Sequence, residues 1–260
     1  MSTIQKQSLA IHIQHAVSMF FNNLHIFGIV TLLVASIDTF LFYASLHVHG
    51  LKDLGNIFNS AEGQSNLIKL SFTYLGFMLV YKAILGPIVS ILVVVYARAF
   101  AMKSSMTVST AINFALKRYG AVFVPYLLAM LSIQIGMIII IPGVMFMMQY
   151  AYVDAVATLE KEAHVLSRSK LLTKSRRQSL IILILPYILL GQAIQFVEFG
   201  YAESTATLIA ANAAYEGLLM VIMATFYMLY HERTALIAQY REAKKVSENQ
   251  TDSENAEANE

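Results

Sequence analysis

The chain reads as an all-α polytopic membrane protein, a bundle of six transmembrane helices, on three observations. It is 57% hydrophobic and only 13% charged over 260 residues, with a mean hydropathy of +0.61. Soluble domains carry about a quarter charged residues, so too little polar side chain remains to wet a globule of this size. Six apolar runs approach the roughly 20 helical residues that a bilayer core requires. Lysine and arginine concentrate in alternate connections between those runs, which is the signature of a polytopic topology.

The first element, residues 1–23, is expected to be an interfacial amphipathic helix. Leu9, Ile13, Ala16, Val17, Phe20 and Leu24 recur at helical spacing opposite Gln7, Gln14 and Ser18, the pattern of a helix resting at headgroup level. His12 and His15 are expected on its headgroup side. The first span is 24–46. A cleaved signal peptide fits it poorly, because the apolar core begins only after Asn22 and Asn23, is too long and lacks a small-x-small site. The second span, 72–97, is interrupted in the reading by Gly86 and Pro87. The third, 119–141, stops at Pro142-Gly143. The fourth, 144–159, is short, so it must start inside that turn or be sheltered by neighbours. Spans five and six are 179–200 and 208–230. The membrane domain is thus 24–232, followed by a charged tail, 233–260. From 246 onward the tail holds Glu248, Asp252, Glu254, Glu257 and Glu260 with no base, and is expected to be disordered.

Orientation follows from the loops. Arg98, Lys103, Lys117 and Arg118 flank one connection, and Lys161, Arg168, Lys170, Lys174, Arg176 and Arg177 the next; Arg233, Arg241, Lys244 and Lys245 follow the last span. The opposite loops, 200–207 and the Pro142 turn, have none, and the first outer loop offers only Lys52, with Lys69 at its edge. Both termini are therefore expected on the cytoplasmic side. The formal charge of +2 hides this asymmetry, because the acidic tail offsets the basic face,.

An internal repeat organises the same segments. Val124-Pro125-Tyr126-Leu127-Leu128 and Leu185-Pro186-Tyr187-Ile188-Leu189-Leu190 place their prolines 61 residues apart, each after a basic pair, Lys117-Arg118 or Arg176-Arg177. An amphipathic stretch precedes each pair, and the N-terminus repeats the plan. Three units of interfacial helix plus two-span hairpin account for this. Chance matching in so apolar a chain is the alternative.

Composition removes several chemistries. With no cysteine, disulfides, thiolate metal sites and cysteine nucleophiles are excluded. Gly-rich phosphate loops, Gly-x-Ser-x-Gly elbows and His-Glu-x-x-His sites are absent, so the chain is expected not to be an enzyme and to need no cofactor or metal. His47-x-His49 is too sparse a pattern for a metal site. A near-neutral total gives no reason to expect nucleic-acid binding.

Ionisable residues at membrane depth mark the candidate site. Asp38 and Lys82 lie at matching depth on consecutive antiparallel spans and are expected to pair. Gln134, Gln192, Gln195, Asn212 and Glu216 fall in the same outer halves. Together they either line an outward-facing polar cavity or act as structural pairs and interhelical glue. Asp154 is expected to form a shallow pair with Arg98 or Arg168. Arg168, Lys170, Lys174, Arg176 and Arg177 form a basic face suited to anionic lipid headgroups, each charge contributing about 1 kcal/mol, or serve only as topology determinants.

One stretch carries a family resemblance. A span ending in Ile141-Pro142-Gly143, the acidic Leu159-Glu160, and then Ser169-Lys170-Leu171-Leu172-Thr173-Lys174 resemble the YciC-like family of bacterial six-helix inner-membrane proteins. The same features occur in the related membrane domain of glycerophosphoryl diester phosphodiesterases. Ser175 stands where that pattern leads one to expect glycine. In those phosphodiesterases the hydrolytic chemistry resides in a separate soluble barrel, for which there is no room after Tyr230. The resemblance implies a multi-pass protein of the bacterial inner membrane, non-enzymatic, acting in envelope or lipid homeostasis through membrane lipids, a membrane-protein partner or a second copy of itself. A small transporter or channel using the polar cavity is the alternative.

Overall fold

The computed structural model describes residues 7–49, 61–160, 164–200 and 205–257. Every regular element among them is an α-helix: α1 (Leu9–Asn22), α2 (Leu24–Val48), α3 (Ala61–Ala101), α4 (Val108–Met137), α5 (Ile141–Tyr150), α6 (Val153–Leu159), α7 (Val165–Thr173), α8 (Arg177–Gly200) and α9 (Thr205–Glu257). Four stretches are long and apolar enough to cross a membrane: Leu24–Val48, Lys69–Ala101, Val108–Met137 and Thr205–Lys245; α8 contributes the shorter Arg177–Gly191. Lys52 and Lys161, with the rest of 50–60 and 161–163, lie outside the described residues.

α3 and α9 form the centre. Ile91 through Ala97 of α3 are buried on every side, as are Tyr227 through Tyr230 of α9, which is how a helix apolar all round must sit. α9 packs against α1, α2, α3 and α8, and α3 packs against α4. Outer faces remain apolar: Ile29, Leu32, Leu33 and Phe40 of α2 are 53–69% exposed. In water such a patch would be a liability; against acyl chains it is the expected surface.

α1 ends where the sequence places its boundary. Asn23 bonds back through its side-chain Nδ2 to the Met19 carbonyl at 2.8 Å, a carbonyl that also accepts the Asn23 N–H at 3.2 Å, so one residue closes the last turn twice. The buried face of α1 is His12, Ala16 and Met19, with Leu9, Ile13 and Phe20 partly covered. His12 is thus turned into the bundle, contrary to the headgroup position expected for it.

The run 144–159 is not one helix. α5 and α6 are separated at Ala151-Tyr152, and the cause is a side chain from α7. Ser169 Oγ donates to the Gln149 carbonyl at 2.9 Å and accepts the Tyr152 N–H at 3.3 Å. In an unbroken helix those two groups would bond to Val153 and Met148, so the hydroxyl stands in the ladder and re-satisfies what the break exposes. Ser169 and Leu172 are both buried, which explains why the Ser-x-x-Leu spacing of α7 matters.

Pro87, expected to interrupt its span, lies inside α3 without breaking the helix, and the other two intraspan prolines, Pro125 in α4 and Pro186 in α8, lie within theirs as expected. Gly86 has a packing role: a Cβ there would overlap the Tyr126 hydroxyl, so glycine lets α3 and α4 close over that ring. Pro142 occupies the first turn of α5, where its missing N–H costs nothing. Gly136 and Gly143 meet across the α4–α5 turn, a Cβ on Gly136 falling 2.8 Å from the Gly143 nitrogen. The turn itself passes through Ile140 at φ 58°, ψ −63°, with the Ile141 N–H bonded to the Ile139 carbonyl at 2.6 Å. This is the strained γ-turn form, rare for a β-branched residue.

The α9 backbone is helical to Glu257.

Candidate functional site

The buried polar centre is assembled from both central helices. Lys82 Nζ of α3 lies 3.0 Å from Glu216 Oε1 of α9. Lys82 was expected to pair with Asp38; its 3.0 Å contact is with Glu216, and Asp38 acts on the same ammonium. Asp38 of α2 contributes from the side: it is 3% exposed and within electrostatic range of both Lys82 and Tyr81. One ammonium therefore faces two carboxyl groups. Tyrosines close the surroundings. Tyr126 and Tyr187, the residues after the two repeated prolines, both lie within range of Glu216. Tyr187 stacks on Tyr215 at 4.6 Å between ring centroids. The Pro-Tyr segments of α4 and α8 thus converge on one ion pair, a relation that their spacing alone did not show.

The α2–α9 contact continues this polar line. Asn212 Nδ2 bonds to Thr39 Oγ1 at 3.3 Å, with both residues buried, and Thr205 Oγ1 to Tyr43 at 3.4 Å. Such bonds tie helices together where water is excluded. Gln134 does not join the centre; it is exposed on α4. The side chains of Gln192 and Gln195 lie outside the described residues. Asp154 faces Ser90 of α3; its expected partner Arg168 is paired with Glu160.

A second buried centre went unread in the sequence. Glu232 of α9 is 6% exposed and takes three donors: Arg176 Nη2 at 2.6 Å and His12 Nε2 at 2.8 Å on Oε2, and the Gln7 N–H at 3.1 Å on Oε1. One carboxylate thereby fastens α1, the start of α8 and α9. Sixteen residues separate it from Glu216, about 24 Å along the helix. The available signal was an acid set between His231 and Arg233 on an otherwise basic segment. Arg176 is accordingly corrected: expected on the lipid-facing basic surface, it is 8% exposed and committed to Glu232.

The rest of that surface divides. Arg168 Nε pairs with Glu160 Oε2 at 3.0 Å, and Tyr230 donates to Glu160 Oε1 at 2.7 Å, joining α6, α7 and α9. Lys170, Lys174 and Arg177 are exposed. His49 bonds through Nε2 to Thr73 Oγ1 at 2.8 Å, and among the described residues no three His, Asp or Glu side chains converge as metal ligands.

Long apolar helices with lipid-compatible outer faces and buried ion pairs fit a multi-pass α-helical membrane protein. No protein family, curated protein or solved structure compared with the chain matches it.

Proposed function

We propose that this chain is a non-enzymatic six-span protein of the bacterial inner membrane, with both termini cytoplasmic, acting in envelope or lipid homeostasis through contacts with anionic lipids and a membrane partner. α5 and α6 together supply the fourth crossing and α8 the fifth. The carrying observation is how closed the intramembrane centre is. Asp38 and Glu216 are 3% and 4% exposed and packed among tyrosines, and only Lys82 keeps 27% of its side chain exposed, as suits a structural cluster better than an aqueous path for a transported solute. Polar chemistry open to a ligand lies instead at the basic end, on Lys170, Lys174 and Arg177. The likeness of Ile141-Pro142-Gly143 and Ser169–Lys174 to the YciC-like pattern supports the same reading.

Native mass spectrometry of the protein released from its own membranes tests the lipid contact: retained anionic phospholipid is the expected result, and release wholly free of lipid would count against it. Reporter fusions at 140, 203 and 245 test the topology. Cytoplasmic signal at 245 with external signal at 140 and 203 is expected, and any other pattern sinks six spans.

A further inference from the structure

At the basic end of the bundle, α7 and the part of α9 beyond Tyr230 enclose a groove of about 510 Å³. Arg168 and Lys174 line it from the α7 side, Arg233 and Arg241 from α9. Helical spacing explains the convergence, since 168, 171 and 172 share one face of α7 and 233, 237 and 241 one face of α9. No acidic residue lines the groove. Arg168 is partly neutralised by Glu160, but Lys174, Arg233 and Arg241 make no ion pair among the described residues. Arg233 Nε is buried and has no hydrogen-bond partner there. A shielded guanidinium donor beside three other cations calls for an anion, and guanidinium groups match phosphate oxygens in charge and fork geometry.

The same groove has apolar walls, Leu171, Leu172 and Ile237, and Leu171 is 62% exposed at its lip. Ser175 adds a hydroxyl, two residues before α8 begins. Cations with alkyl surface alongside suit an amphiphile better than a wholly polar ion. We infer that this groove binds the phosphate headgroup of an anionic phospholipid, with Arg233 and Arg241 as its principal contacts. The inference rests on the lipid-contact reading above and assigns it a site.

The test uses the full chain in phosphatidylcholine nanodiscs with and without phosphatidylglycerol, scored by native mass spectrometry of retained lipid. Wild type is expected to retain phosphatidylglycerol over phosphatidylcholine. The pair Arg233→Gln with Arg241→Gln should lower that preference about tenfold, while Lys117→Gln with Arg118→Gln, outside the groove, leaves it unchanged; thermal unfolding of each variant confirms that it is folded. Equal loss in both variants, or no loss in the groove variant, overturns the groove and leaves the lipid reading standing. Absence of any preference in wild type removes both. In a second arm inorganic phosphate and glycerol phosphate are titrated in. Displacement of the lipid by either at equal concentration would make the occupant a soluble phosphate, free or esterified, and overturn the lipid assignment.

Discussion

Lys82 and Glu216, 134 residues apart in the chain, meet at 3.0 Å in the buried interior where α3 crosses α9. Sequence position puts Asp38 and Lys82 at matching depth and Glu216 in an outer half of its span, but it does not say which helix faces which. Lys82 has an acid on each of two helices that α3 packs against, Asp38 on α2 and Glu216 on α9, and its 3.0 Å contact is with Glu216.

Removing one partner of a buried pair leaves the other charge uncompensated. Glu216→Gln is expected to destabilise the protein by about 3 kcal/mol, the lower end for broken buried pairs because Lys82 keeps 27% of its side chain exposed,. Adding Lys82→Gln should recover part of that loss. Unfolding of both single variants and the double variant in detergent gives the coupling energy, expected at about 1–3 kcal/mol. The cycle of Asp38→Asn with Lys82→Gln should couple less. The reverse ranking would restore the Asp38 pair.

Glu232 holds α1 against the bundle through His12 and the Gln7 N–H. Glu232→Gln leaves Arg176 buried without its carboxylate, an expected loss of about 3–5 kcal/mol. Amide hydrogen exchange should rise along α1 and at the start of α8 before it rises in α2. Uniform exchange across all helices would mean that the carboxylate does not fasten α1 in particular.

Ser169→Ala strips the α5–α6 break of its bridging hydroxyl. The Gln149 carbonyl and the buried Tyr152 N–H then lose that partner, an expected cost of about 1–3 kcal/mol. Tyr152 amide exchange should accelerate. If stability and exchange are both unaffected, the break persists for another reason.

Gly86→Ala places a methyl group where the Tyr126 ring already lies. Loss of about 1–3 kcal/mol is expected from the forced separation of α3 and α4. Combining it with Tyr126→Leu should cost less than the sum of the two single changes, since the smaller side chain vacates the space. Strict additivity in thermal unfolding would show that the two residues are not in contact.

Local pattern determined much of this protein. The helical class, the boundary at Asn23, the apolar runs and the basic side are all set by near-neighbour composition, because a bilayer demands about 20 apolar residues per crossing wherever they occur. Tertiary structure decided the rest. Ser169 splits 144–159 from a different helix, and Tyr126 explains Gly86 from across an interface. Arg176 looks like surface charge until α1, α8 and α9 close around Glu232. Hydropathy records how much apolar side chain a segment has; it carries no record of which helix face meets which. Buried ion pairs and helix breaks are set by those meetings, since a charge removed from water must find its partner on whatever helix packing brings alongside.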